Sequence, residues 1–337
     1  MTPLGNRGET MLRIHFTGRD LQSVRLAQRP DPLWEIVCSL CRLQTREGAI
    51  AFDPWRRAAS DQTRRSGAVR EAAMALRTLV PHAAYFPDFL TPSVTPAPYD
   101  LQSGLDRVLA TPRHRLRHEL TLLATSGGRP QFGAELARGD TTALKALGEN
   151  LRTYHQRLIA PLWNRIDTAA TADTALRTRA LTNGGIQALF GSLRPMAAWQ
   201  APVLTVDYPL ERDLHLEGRG LLLVPSYFCW KRPITLAEDH LQPVLIYPID
   251  KTPPPTDASV TSLTRLLGSA RAALLYELAE LACASTSELA DATELSLPST
   301  SQQLAILRDA GLIASQRDGK RVLHTATPLG RRLLNGR

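Results

Sequence analysis

The stretch that most constrains this chain lies near its C-terminus and reads Ser285-Thr-Ser-Glu-Leu-Ala-Asp-Ala-Thr-Glu-Leu-Ser-Leu-Pro-Ser-Thr-Ser-Gln-Gln-Leu304. Ser285 and Glu288 have the Ser-x-x-Glu spacing of a capping box, so a helix is expected from Thr286 to Thr293. Ala290 is small where a following helix has to cross closely, and Leu295 supplies an apolar plug at the turn. Ser296 then caps a second helix, on which Thr300, Leu304 and Leu307 face inward at helical spacing. Ser299, Gln302, Gln303 and Ile306 face the other way. Gly311 suits a left-handed helix end. Beyond it, Ile313–Arg317 and Arg321–Thr325 flank Asp318-Gly319, a strong hairpin signal.

Two crossed helices followed by a β-hairpin make a winged helix-turn-helix, and the outward residues suit duplex DNA. A glutamine amide can bond an adenine edge bidentately, which points to Gln302 and Gln303. The hydroxyls of Ser296, Ser299 and Ser301 suit phosphates near a helix start. Arg317, Lys320 and Arg321 belong to the wing, placed for backbone phosphate or the minor groove. Two features depart from the usual pattern. Glu294 stands at the turn where glycine is usual, at a cost of ~1 kcal/mol if its φ is positive. The helix from Ser296 to Leu307 contains no Lys or Arg. Two alternatives therefore stay open: a winged helix used only for protein contacts, or an enzyme carrying one as an appendage.

Charge alone does not locate the DNA-binding part. The chain carries a formal +8, yet Ser259–Arg337 holds nine Lys/Arg against seven Asp/Glu, so most of the surplus lies upstream. With 337 residues there is room for two domains. The spacing divides them into residues 11–255, a sensor or oligomerisation domain, and 258–337, the winged helix, joined by the proline-rich hinge Lys251-Thr-Pro-Pro-Pro-Thr-Asp257. Residues 1–10 read as a disordered extension without the apolar core of a secretory signal. No apolar run approaches the ~18 residues of a membrane span, so no membrane partner and a cytoplasmic location are expected.

The larger domain reads as helical over 11–193 and β-rich over 195–250, which makes the fold class α+β, mostly α. Asp31-Pro32 opens a helix. Further helices are expected over Pro54–Leu79, Leu101–Leu109, Arg113–Leu123, Thr142–Ile166 and Ala169–Leu189, with a break near Asn183-Gly-Gly185. Val203–Val206, Asp213–Leu216, Gly220–Val224 and Val244–Tyr247 predict a small, largely antiparallel sheet, with Glu217–Gly220 as a hairpin turn.

No catalytic constellation, metal site or cofactor emerges. Cys38 and Cys41 form a Cys-x-x-Cys, but they sit at helical spacing with no second ligand pair, so both read as core. His114 and His118 lie among Arg113, Arg115 and Arg117 on a solvated cationic face. Aromatics such as Trp34, Trp55, Tyr154, Phe228 and Trp230 read as core rather than as a ligand pocket. A pocket gathering His15, Asp207 and His215 would favour the enzyme reading.

Residues 259–337 resemble an ArsR-type winged-helix regulator, through the segment Leu289–Ile313. Leu12–Thr17, Asp31–Glu35 and Asp213–Ser226 resemble an uncharacterised domain that precedes such modules in actinobacterial regulators. The resemblance implies a non-enzymatic homodimer that represses from a palindrome and is released by a small-molecule effector of unknown identity. Its dimer seam would be the apolar stripe Leu263–Leu281, with Leu329–Leu334 beside it. Family members that sense metal do so through a Cys-x-Cys. Here that place reads Cys283-Ala-Ser285, one thiol where a closed thiolate site needs three or four ligands, so metal sensing does not carry over.

Overall fold

The computed structural model describes residues 10–82, 85–92, 100–126, 133–238, 241–251, 264, 266–281, 283–318 and 321–334, and of Asp318, Arg321 and Arg332 the backbone alone. The extension 1–9, the hinge residues 252–257, Leu263, Gly319 and Lys320 lie outside the described residues. The chain forms two compact units, Met1–Lys251 and Thr252–Arg337.

The first unit is α+β with helices predominating. Strand β1 (Met11–His15) buries Leu12 and Ile14 at its alternate positions. It pairs antiparallel with β4 (Val203–Asp207) and parallel with β5 (Arg212–His215), while β3 (Ala197–Gln200) flanks β4. A second sheet, of order β2-β6-β7, joins β2 (Arg25–Leu26), β6 (Leu222–Ser226) and β7 (Val244–Pro248), all parallel. The β-rich segment thus contributes to two sheets rather than one antiparallel sheet. The signal was present in Leu221–Ser226: every residue there is buried, as in a parallel strand covered on both faces, and none of the in-out alternation of a hairpin strand survives. Glu217–Gly220 is accordingly not a hairpin turn but the passage from β5 to β6 in the other sheet. Gly220 is required there, because a Cβ would meet the Ser23 carbonyl oxygen at 2.3 Å.

The helices follow the sequence with two corrections. Asp31 caps Pro32–Gln44 by accepting from the Leu33 and Trp34 amides, as its position before a proline implies. The single helix expected over 54–79 is two, Ala49–Arg65 and Gly67–Leu79, because Ser66 adopts extended backbone and caps the second through Val69 N. The helix expected over 142–166 runs Thr141–Tyr154, widens into a π-turn at His155–Ile159 and tightens at Ala160–Leu162 around Pro161, which has no N–H to continue the ladder. Trp163–Gly191 is two helical stretches separated at the expected glycine break, where Gly184 and Gly185 leave helical geometry. A separate correction concerns the aromatics: Trp34, Tyr154 and Phe228 are core, as the sequence suggests, but Trp230 is only partly buried and lines a cavity.

The second unit has its own apolar centre, built from Leu274, Leu275, Leu278, Leu289, Leu304, Leu307, Leu312, Ile313 and neighbours. Helix α10 (Ser269–Leu281) is the trunk. The long helix expected from Leu263 is interrupted at Gly268, whose φ of +85° is left-handed. Helices α11 (Thr286–Thr293) and α12 (Leu297–Asp309) cross against α10, and strands β8 (Ala284–Ser285), β9 (Ile313–Asp318) and β10 (Arg321–Ala326) form an antiparallel sheet of order β8-β10-β9. Helix α13 (Pro328–Leu334) closes the unit against α10.

Candidate nucleic-acid interface

Local chemistry fixes each element of the second unit. Ser285 Oγ accepts from Glu288 N, and the Glu288 carboxylate accepts from Ser285 N at 2.7 Å, completing the capping box. Glu294 ends α11 in left-handed geometry, φ 55° and ψ 30°, the strained turn its position suggests. Ser296 caps α12 through Ser299 N, and Pro298 occupies the first turn, where a missing N–H costs nothing. Thr300, Leu304 and Leu307 are buried at 0%, 2% and 1% exposure, which fixes which side of α12 faces out.

The exposed side carries Ser296, Leu297, Ser301, Gln302 and Ile306. Ser299 and Gln303 are half-buried. The two glutamines therefore differ: Gln302 is free toward solvent, whereas Gln303 Oε1 accepts from Arg271 Nη1 of α10 at 3.3 Å. Arg271 also donates Nε to the Leu267 carbonyl, so the guanidinium ties the start of the trunk to the outward helix. No sequence signal singled out Arg271, since an arginine near the start of an amphipathic helix reads as solvated.

The wing follows the hairpin expectation in register, with Arg321 opposite Asp318 and Ala326 opposite Ile313. Arg317 is exposed on β9. Lys320 and the Arg321 side chain fall outside the described residues. His324, which no sequence motif marks, joins the wing to the helices. Its Nδ1 lies 2.8 Å from Ser315 Oγ and its Nε2 lies 3.0 Å from Thr286 Oγ1 at the start of α11. Burial, and then the Arg308 charge, hold its pKa below the usual histidine value, so the bridging imidazole is neutral.

In the first unit, the three residues whose gathering in a pocket would favour an enzyme are only partly brought together. His15 and His215 stack at 4.4 Å, but the partner of His15 is Asp213 at 2.6 Å, while Asp207 pairs with Arg232. This is a half-exposed patch on the four-stranded sheet. His114 and His118 are exposed, and His118 pairs with Glu238 at 3.0 Å. Cys38 is buried against Cys229, whose thiol, together with burial, pushes the Cys38 pKa up. Burial raises Cys41 to about 11, so both are protonated thiols at neutral pH. Among the described residues no group of three or more His, Cys, Asp or Glu is arranged to hold a metal ion. No helix there is long and apolar enough to cross a membrane.

The capped pair of crossed helices with an antiparallel wing defines a winged helix-turn-helix. Residues 268–315 match the family described as bacterial regulatory protein, arsR family, and residues 100–253 match a family of unknown function (DUF5937). Residues 268–315 thus match an ArsR-family helix-turn-helix and follow a domain of unassigned role, and the match supports a DNA-binding transcriptional regulator. No curated protein and no solved structure matches the chain.

Proposed function

We propose that the protein is a transcriptional repressor that binds duplex DNA as a homodimer. Helix α12 enters the major groove, with Gln302 as its base-reading side chain and Ser296, Ser299, Ser301 and Gln303 near the backbone. Arg317, Lys320 and Arg321 of the wing contact phosphate. The observation carrying this reading is the exposed polar edge of α12 held in place by the fully buried Thr300 on its reverse side. The absence of Lys and Arg between Ser296 and Leu307 makes the wing the source of phosphate affinity.

Dimerisation is supported by leucines that the unit leaves uncovered. Leu266 is 69% exposed, Leu281 50% and Leu329 53%, and all three belong to the segments whose apolar stripe is expected to form a seam. A small-molecule effector acting through the first unit and a cytoplasmic location complete the reading.

A gel-shift titration with the duplex upstream of the protein's own gene tests it. The expected result is a specific shift at nanomolar protein with half-site symmetry in the footprint, weakening steeply as salt rises. No shift at low salt overturns it.

A further inference from the structure

The first unit contains a cavity of about 570 Å³, within the ~300–1,000 Å³ range of small-molecule sites. We infer that it binds a small aromatic molecule carrying a carbonyl or carboxylate acceptor. The DNA-binding reading neither supplies this site nor depends on it.

Five aromatic side chains, Tyr85, Phe86, Tyr208, Phe228 and Trp230, form part of the wall. It is also preformed. Phe52 packs edge-on against Trp230 at 5.4 Å, Phe228 stacks on Phe52 at 5.6 Å, and Lys251 Nζ lies 5.3 Å from the Trp230 ring. Flat, rigid ring surfaces favour a planar ligand, since offset and edge-on ring contacts add to area burial.

The polar groups decide the ligand's chemistry. The acceptors at the cavity are engaged: Glu47 pairs with Arg42, and the Asp88 carboxylate accepts from the Ala237 and Glu238 amides at 2.9 and 2.8 Å. Three residues of the wall carry, just behind it, donors that are different. Arg42 Nε, Tyr85 Oη and Trp230 Nε1 are buried and have no hydrogen-bond partner among the described residues. Arg42 as a whole is only 7% exposed. Donors withdrawn from water and left unpaired are disfavoured in the free protein, so a small side-chain rotation that brings them to a ligand acceptor gains the full hydrogen bond. Lys231, exposed at the cavity, adds positive charge, whereas Arg232 beside it pairs with Asp207. Unpaired donors and cationic side chains with occupied carboxylates select against a cation and for an acceptor.

Isothermal titration of the full chain with 2-naphthoate, methyl 2-naphthoate and naphthalene tests the assignment. Saturable one-to-one binding of the acid or the ester is expected, at least tenfold tighter than naphthalene, and the tighter of the two identifies an anionic or a neutral acceptor. Tyr85→Phe is expected to weaken that binding about 5-fold, the effect of one hydrogen bond, while leaving the urea midpoint of the free protein unchanged. Ala237→Trp, which fills the cavity from its exposed rim, is expected to abolish it. The inference is overturned if neither acceptor-bearing probe saturates, if naphthalene binds equally well, or if both variants bind as the parent does. A Tyr85→Phe protein that is destabilised when free also overturns it, because the hydroxyl then has a partner within the fold.

Discussion

Arg271 Nη1 donates to Gln303 Oε1 at 3.3 Å, so the trunk helix holds one of the two adjacent glutamines on the outward edge of α12. Sequence spacing makes Gln302 and Gln303 equivalent candidates for reading bases, and the structure makes them unequal. Gln302 is free toward solvent and is the reader in the proposed function, whereas Gln303 is bonded to the trunk. A polar side chain committed to one partner presents fewer groups to a second.

This inequality predicts a split between two substitutions. Gln302→Ala should lose roughly 1–3 kcal/mol of discrimination at its preferred operator, with binding to random duplex unchanged. Gln303→Ala should cost less specificity and instead lower affinity for both DNAs by a similar factor. Fluorescence anisotropy on operator and scrambled duplexes separates these patterns. A larger loss of specificity in Gln303→Ala than in Gln302→Ala would refute the assignment.

Much of the second unit was legible because its signals are local. A capping box, a Ser-x-Pro helix start and an Asp-Gly hairpin each act within a few residues, and all are read without knowing what packs on them. The first unit was less legible for the converse reason. Leu221–Ser226 joins a parallel sheet whose partners come from Arg25–Leu26 and Val244–Pro248, distant in sequence. Arg271 and His324 were missed because their partners, Gln303 and the pair Thr286 and Ser315, come together only in the folded unit. The cavity lined by Arg42, Tyr85 and Trp230 likewise joins separate parts of the chain and leaves no periodic trace.

Glu294 gives a second prediction. A residue with a Cβ at φ 55° is strained, and glycine relieves that strain. Glu294→Gly should stabilise the second unit by about 1 kcal/mol. Hydrogen exchange measured by mass spectrometry over residues 286–309 should slow accordingly. Faster exchange there would mean that the glutamate side chain contributes more than the backbone strain removes.

Gly330 gives a third, of opposite sign. A Cβ built there would meet the Leu312 carbonyl oxygen at 2.1 Å and Leu275 Cδ1 at 3.3 Å, so α13 can approach the start of the wing only without a side chain. Gly330→Ala should destabilise the unit by roughly 1–3 kcal/mol, the usual range for overpacking. The same exchange experiment should show faster exchange in 328–334 and 312–313, and unchanged exchange would show that α13 shifts without cost.

The last prediction concerns pH. Glu35 is fully buried, and its carboxylate accepts from the Tyr227 and Phe228 amides at 2.7 and 3.0 Å, beneath the turn that carries Trp230. Burial raises its pKa to about 7 from 4.5, against the pull of those amides and of Lys251. Because the folded value is the higher one, the folded state holds the proton more tightly. The stabilisation is complete below pH 4.5 and is lost as pH rises through 7. Asp88, raised to about 6 from 3.8 chiefly by burial, acts in the same direction but is finished earlier. His155, whose pKa burial lowers, acts in the opposite direction. The raw profile therefore mixes signs, and the difference between the parent and Glu35→Gln isolates one group. All five tryptophans lie between Trp34 and Trp230, so indole emission during urea unfolding reports the first unit alone. Relative to Glu35→Gln, the parent should lose stability steadily from pH 4.5 to 7, by an amount on the order of 3 kcal/mol, and no more above that. A difference that is flat across this window, or that rises with pH, would mean that Glu35 is ionised at no cost and that its two amide bonds outweigh its burial.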